Sequence, residues 1–129
     1  MGKYILKQKL APDGIVSSPA KRARQTVDLV VKASGLTIAP AFDKRIYEAT
    51  ARGLLEVVRQ FDDAANTQMM IGHNPGFEEF LKSLTGETQV MPTAALASIE
   101  LDVEKWKKVE PGVGKLKWIV RPKELKRAE

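Results

Sequence analysis

The sequence contains no cysteine and a single histidine, and aromatic residues make up only 6% of its 129 positions. The absence of cysteine excludes disulfides, thiolate metal sites and a cysteine nucleophile. No apolar run approaches the roughly 18 residues that a transmembrane helix needs, and the N-terminal apolar run is too short for a secretory signal. We therefore expect a cytoplasmic protein with no membrane partner, whose chemistry depends on imidazole, charged and hydroxyl groups.

Positive charge is in excess, with 21 Lys and Arg against 16 Asp and Glu and a formal net charge of +5. Such an excess suits an anionic ligand, either a phosphate ester or a nucleic acid. Much of it lies in the tail 121–127, where basic and acidic residues mix and no aromatic side chain could stack on a base. We interpret the tail as a solvated terminus and expect no nucleic-acid partner.

Length and composition fit one domain, residues 1–129, with 43% hydrophobic and 29% charged residues. Strands are predicted at 15–17, 68–71, 94–101 and 115–120, and helices at 19–34, 52–61 and 77–84. The first helix is predicted to have Ser18 as its N-cap, and the run 68–71 to be a strand buried on both faces. The alternation favours an α/β fold with a mostly parallel sheet, whose ligand site lies beyond the carboxyl ends of its strands.

One candidate motif, residues 17–26 (SSPAKRARQT), leaves a predicted strand and runs into the first turns of a helix. Free backbone N–H groups and the helix dipole favour an anion at such a point. Arg22 and Arg24 project about 200° apart around the helix, so we expect only one of them to face the crevice. A guanidinium there suits bidentate phosphate binding. The alternative is a capped helix with a basic face toward solvent.

The second motif, residues 71–76 (IGHNPG), places His73 between a predicted buried strand and the next helix. A lone histidine is often structural, but the tight turn residues around this one hold the imidazole at a strand tip, where α/β sheets bind ligands. Glu48 follows a short predicted strand and is a candidate proton donor to a leaving group. An exposed loop glutamate is the alternative interpretation of Glu48.

Four segments together resemble the SixA-type phosphohistidine phosphatases of the histidine phosphatase superfamily. They are residues 17–26, 46–49 (IYEA), 72–76 (GHNPG) and 92–97 (PTAALA). The resemblance implies a phosphoglycerate-mutase-like three-layer α/β sandwich, with a mostly parallel central sheet flanked by helices. It implies hydrolysis of phosphohistidine on a protein, or of a small phosphorylated compound, without metal or organic cofactor. Two histidines and two arginines would surround the phosphoryl group, one histidine being transiently phosphorylated.

Matched residue by residue, the resemblance makes Arg22 the second arginine of that pocket and His73 its second histidine. Ser17 and Asn74 stand in the same motifs and are further candidates for phosphate binding. Glu48 matches a less constant position, so its role as catalytic acid is the weakest of these assignments.

The chain departs from the family at its start, where the resemblance implies a strand ending in Arg-His-Gly or Arg-His-Ala. Residues 1–4 instead match the middle of the following helix, so the resemblance implies that the first strand, the nucleophilic histidine and the first arginine are missing. Loss of a strand inside the sheet is expected to leave its two neighbours with unpaired backbone groups. Three explanations are open: a rearranged sheet, a strand exchanged within a homodimer, or a truncated reading frame. We favour truncation.

Phosphoryl transfer through a phosphohistidine requires an unprotonated imidazole in line with phosphorus. The single histidine is assigned to a donor role, so we expect the 129 residues to have little or no phosphatase activity. A non-catalytic phosphate-binding or phosphoprotein-binding module is the alternative function.

Overall fold

The computed structural model describes residue 5, residue 8 and residues 10–123. Most of the basic tail lies outside these residues. Five strands are described: β1 Gly14–Ser17, β2 Ala41–Phe42, β3 Gln68–Ile71, β4 Leu96–Leu101 and β5 Gly114–Val120. Three α-helices are described: α1 Lys21–Ser34, α2 Ala51–Arg59 and α3 Gly76–Thr85. Short 3₁₀ turns occupy Lys44–Ile46 and Trp106–Lys108.

The strands form two separate sheets. Three of them make a parallel sheet in the order β2-β1-β3, and β1 and β3 end level with each other because Ser17 lies opposite Ile71. The other two, β4 and β5, form an antiparallel pair with an irregularity after Ser98. The predicted α/β class with a parallel sheet flanked by helices is confirmed. Within the described residues, β3 and β4 are not paired with each other.

Helices α1 and α2 differ in how their first turns are capped. Helix α1 begins at Lys21 after Ala20, and no side chain caps it. The prediction that Ser18 is the N-cap is therefore wrong: its hydroxyl accepts from the N–H of Ala20 at 3.2 Å, which lies outside the helix. Helix α2 has a normal cap, because the hydroxyl of Thr50 accepts from the N–H of Gly53 at 3.1 Å.

The core lies on one face of the parallel sheet. Val16 and Met70 pack there against a cluster of buried side chains from the helices and two loops: Ile46, Leu54, Val57, Val58, Phe80, Leu84 and Val109. Side chains alternate along a strand, so Ile15 points to the opposite face, which α1 covers with Ala23, Val27 and Val30. The parallel sheet is thus a layer between α1 on one side and α2 with α3 on the other.

The expectation that β3 is buried on both faces is wrong in degree. All four of its residues are only half-buried, whereas Ile15 and Ser17 of β1 are fully buried. The reason is that, within the described residues, β3 pairs with β1 alone and leaves its other edge without a strand. Among these residues, no helix is both long enough and apolar enough to cross a membrane.

Candidate phosphate-binding site

Two strand exits bring a serine and the histidine together. Ser18 follows β1 and His73 follows β3 after Gly72, and because these parallel neighbours end in register the two side chains meet. The Nε2 atom of His73 lies 2.8 Å from the Oγ atom of Ser18. The ring of Tyr47 meets the imidazole edge-on, with centroids 5.7 Å apart and planes at 89°. The imidazole is therefore held on two sides.

Gly72 is required for this arrangement because its neighbours leave no room for a side chain. A Cβ atom at this position would lie 2.6 Å from the ring of Phe77 and 2.7 Å from a methyl group of Ile46. The close packing of these side chains against the backbone sets the direction in which the chain leaves β3, and so the place of His73 at the strand tip.

Arg22 lies in the first turn of α1 and lines the same cavity as His73. Its guanidinium has neither a hydrogen bond nor an ion pair with any residue that the structure describes. The first turn of α1 also lacks a capping side chain, so its backbone N–H groups add to the positive potential. An unpartnered cation beside free N–H groups is the arrangement that an oxyanion needs.

Arg24 is engaged elsewhere. Its Nε atom donates to the carbonyl of Pro19 at 2.8 Å, and its guanidinium lies 4.2 Å above the ring centre of Phe42. Arg24 is absent from the cavity lining that includes Arg22. Only one of the two arginines therefore faces the crevice, as the helical spacing predicts.

The cavity has a volume of about 970 Å³ and extends well beyond Arg22 and His73. It is lined by the whole of β3 and the whole of β4. The segment that leads into β4 lies beside the exit of β3, because Asn74 donates to the carbonyl of Met91. Beyond β4, the N–H of Trp106 donates to the carboxylate of Asp63, which precedes β3. The strands β3 and β4 therefore run in opposite directions along the cavity.

Asn74 lines the cavity, but its side-chain amide is already hydrogen-bonded to other protein groups. Its Nδ2 atom donates to Glu78 at 3.1 Å and to the carbonyl of Met91, and its Oδ1 atom accepts from the N–H of Glu78 at 3.2 Å. Glu78 in turn accepts from the N–H of Met91 at 3.2 Å. Asn74 thus joins the start of α3 to the segment before β4, and its role in phosphate binding stays a prediction.

Ser17 is fully buried, and its hydroxyl donates to the carbonyl of Ser18 at 2.9 Å. It is not part of the cavity lining, so the structure places it behind the site and not on it. Its proposed contact with phosphate stays a prediction that the geometry does not favour.

Glu48 is exposed and also lies outside the cavity lining. Its backbone is in the left-handed region, with φ at 52°, which costs a non-glycine residue about 1 kcal/mol or more. The structure gives Glu48 no contact with Arg22 or His73, and its role as a proton donor stays a prediction.

Sequence reasoning missed Ser18 and Tyr47, which hold the imidazole. Ser18 follows a strand that pairs in parallel with the strand before His73, and this pairing is visible in the structure but not in the sequence pattern. The nearby loop after β2 carries its own ion pair: the Arg45 guanidinium lies 2.6 Å from Asp43 and holds the pKa of that carboxyl below its ordinary value. Arg45 is therefore already paired, unlike Arg22.

Within residues 10–123 and the two residues described before them, no group of three His, Cys, Asp or Glu side chains could hold a metal ion.

Comparison with solved structures identifies the fold as that of the SixA phosphohistidine phosphatases. The chain matches a protein histidine phosphatase SixA complexed with tungstate at TM-score 0.81 and 20% identity, covering 96% of this chain and 78% of that one. It matches the putative phosphohistidine phosphatase SixA of Agrobacterium tumefaciens at TM-score 0.77 and 23% identity, with coverage of 94% and 75%. The N-terminal portion of SixA is not covered by these matches.

Among curated proteins, the chain is 26% identical over 126 residues to an uncharacterized protein of Mycobacterium tuberculosis strain H37Rv, covering 89% of this chain and 77% of that protein. No protein-family profile matches the chain. At these identities the comparisons establish the fold, and the chemistry has to be argued from the site.

Proposed function

We propose that this chain binds phosphoryl groups in a pocket of the phosphohistidine-phosphatase type, with a phosphohistidine-bearing protein or a small phosphorylated compound as ligand. The observation that carries the proposal is that an unpartnered guanidinium, Arg22, and the only histidine, His73, line one cavity at the strand ends of a SixA fold. A solved structure with this fold is a complex with tungstate, a tetrahedral oxyanion similar in shape to phosphate.

Each group has a role in holding the ligand. The planar guanidinium of Arg22 donates paired hydrogen bonds to two phosphoryl oxygens, and the free N–H groups of α1 support the same charge. Ser18 engages Nε2 of His73. Within the described residues Nδ1 has no partner, so it is the ring nitrogen left for the ligand. Tyr47 limits rotation of the ring through its edge-on contact.

Hydrolysis through a phosphohistidine needs one imidazole as nucleophile and further positive groups on the transferred oxygens. With one histidine in 129 residues, the chain provides one imidazole. We therefore propose that these 129 residues bind the phosphoryl group with little or no turnover, as a phosphate-binding or phosphoprotein-binding module does. Phosphohistidine hydrolysis is proposed for this pocket when a second imidazole is present.

Binding is tested by titrating the chain with tungstate and with inorganic phosphate in a calorimeter. Removing a charged hydrogen-bonding partner costs about 1.5–3 kcal/mol, so Arg22→Ala should weaken tungstate binding by about 10-fold to 100-fold. Arg24→Ala is the matched control, two residues along the same helix and turned away, and should change the affinity less than about 2-fold. Equal losses in the two variants would show that net charge and not the pocket binds the anion.

Turnover is tested with a phosphohistidine peptide and with p-nitrophenyl phosphate as substrates. We expect phosphate release no faster than in a His73→Gln variant. Release that is clearly faster, and that disappears in His73→Gln, would overturn the proposal of binding without turnover and would make His73 itself a nucleophile.

A further inference from the structure

The hydroxyl of Ser18 is a fully buried group whose hydrogen bonds can be followed atom by atom. Ser18 is 0% exposed. A serine hydroxyl has one hydrogen to donate and two lone pairs that accept. One lone pair accepts from the N–H of Ala20 at 3.2 Å. Among the residues that the structure describes, the other partner of this hydroxyl is the Nε2 atom of His73, at 2.8 Å. That ring nitrogen is therefore the one acceptor within reach of the hydroxyl hydrogen.

This contact determines where an uncharged His73 carries its proton. A neutral imidazole has one N–H donor and one nitrogen that accepts. If Nε2 carried the proton, it would donate to the Oγ atom of Ser18, and the buried hydroxyl hydrogen would have no acceptor. A buried donor without a partner is costly, whereas a hydroxyl that donates to an unprotonated Nε2 is satisfied. The hydrogen bond to one ring nitrogen thus places the proton on the other, Nδ1.

The orientation of the ring follows from the same contact. A ring turned over by half a rotation would put Cε1 in the place of Nε2, and the hydroxyl of Ser18 would lose its acceptor. The backbones on both sides are also tied down. The N–H of Ser18 donates to the carbonyl of Ile71 at 3.0 Å, and the carbonyl of His73 accepts from the N–H of Phe77 at 3.2 Å. Serine and imidazole are therefore held at a fixed distance by the strands and by α3.

We propose that Ser18 is a positioning residue that holds the uncharged imidazole of His73 in the Nδ1–H form, so that the ring donates a hydrogen bond to a phosphoryl oxygen. In this form the lone pair of Nε2 is engaged by the Ser18 hydroxyl and Nδ1 has no lone pair free, so neither nitrogen can attack phosphorus. The role as donor rests on the proposed phosphate binding. The position of the proton does not depend on it.

The position of the proton can be measured directly, because His73 is the only histidine in the chain. In a chain labelled with the heavy nitrogen isotope, a long-range proton–nitrogen NMR spectrum gives different patterns for the Nδ1–H and Nε2–H forms. It is recorded at about pH 9, where an imidazole in water is uncharged. We expect the Nδ1–H pattern in the parent chain without ligand. The Nε2–H pattern there would overturn the proposal, and this measurement requires no variant.

Ser18→Ala tests whether the serine is the cause. Without the hydroxyl nothing engages the lone pair of Nε2, so the Nε2–H form should become the major form. Ser34→Ala is the matched control at the other end of α1. Ser34 is also buried, and its hydroxyl also accepts from the N–H two residues later, that of Leu36. This variant should keep the Nδ1–H pattern. An unchanged pattern in Ser18→Ala would show that another group places the proton, which would contradict the proposal.

Tungstate titration separates this proposal from phosphate binding itself. Ser18→Ala should weaken tungstate binding by about 3-fold to 10-fold, because only part of the rings then present an Nδ1–H donor, and Ser34→Ala should change it less than about 2-fold. Arg22→Ala should lose affinity and keep the Nδ1–H pattern. Equal affinity of Ser18→Ala and the parent chain would overturn the donor role. An Nδ1–H pattern in a parent chain that binds no tungstate would support the effect of Ser18 on the ring and overturn phosphate binding alone.

Discussion

The neighbouring strands β1 and β3 have the same length and direction and are paired in register, yet they differ in burial. Ile15 of β1 is 3% exposed, whereas its register partner Met69 of β3 is only half-buried. In the part of the chain that the structure describes, β1 has a partner on each side, β2 and β3, whereas β3 has β1 alone. Burial in this fold therefore depends on the number of paired edges more than on the hydrophobicity of the strand.

The largest expected effect compares the two partners directly. Ile15→Ala removes three carbon atoms from a closed site and should lower the free energy of unfolding by about 2–5 kcal/mol. Met69→Ala removes as many heavy atoms beside the cavity that β3 lines, where space already exists, and should cost less than about 2 kcal/mol. Urea unfolding followed by circular dichroism measures both. Equal losses would mean that the cavity beside β3 is closed in solution.

A smaller effect compares the glycine at the start of β1 with the one that follows β3. A Cβ atom at Gly72 would meet the packed side chains of Phe77 and Ile46, so Gly72→Ala should destabilise by about 1–3 kcal/mol. A Cβ atom at Gly14 would meet only the flexible end of the Gln68 side chain, so Gly14→Ala should change stability by less than about 0.5 kcal/mol. Thermal unfolding of the two variants checks this, and the reverse order would contradict the packing at the strand exit.

The smallest expected effect concerns the turn that begins the pairing of β1 with β3. The carboxylate of Asp13 accepts from the N–H groups of Asn66 at 2.7 Å and Thr67 at 3.0 Å. Both hydrogen bonds lower the pKa of Asp13, and the bond from Thr67 has the larger effect. A carboxyl group whose pKa is lower in the folded state than in the unfolded state stabilises the fold at any pH above its unfolded-state pKa. This stabilisation is lost as the pH falls through the folded-state pKa.

Asp13→Asn should therefore give a small decrease in melting temperature at pH 7, and the difference from the parent chain should shrink as the pH falls below about 4. Asp28→Asn, on the exposed side of α1, is the control and should show a smaller difference at both pH values. A difference that persists unchanged at low pH would show that the side-chain amide disturbs the turn for a reason other than charge.

How far the sequence predicts this protein differs between local and long-range features. The strand at 68–71 and the end of α1 near Gly35 follow from local periodicity and turn residues, and the structure agrees. Helical spacing indicates that only one of Arg22 and Arg24 faces the cavity, but it does not say which, and the choice of Arg22 came from the family resemblance. The contact between Ser18 and His73 spans 55 positions and depends on which strands are neighbours. Periodicity alone carries no information about that neighbour relation.

The half-burial of β3 was also beyond local reasoning. The run of Met69, Met70 and Ile71 has the composition of a strand covered on all sides, and that composition does not show whether one edge or both edges of the strand are paired. The incorrect N-cap assignment to Ser18 has a similar origin, because a serine before a proline is a common helix start. Here the hydroxyl of Ser18 forms a hydrogen bond with the imidazole of His73, and the helix begins three residues after Ser18.

The amide of Asn74 ties three segments to one side chain: the exit of β3, the first turn of α3 and the backbone at Met91. Since His73 directly precedes it, the imidazole is mechanically linked to the loop that leads toward β4. Greater mobility of that loop would make the position of the imidazole less well defined, without unfolding a helix. A change far from the anion could in this way reduce affinity while leaving the melting temperature almost untouched.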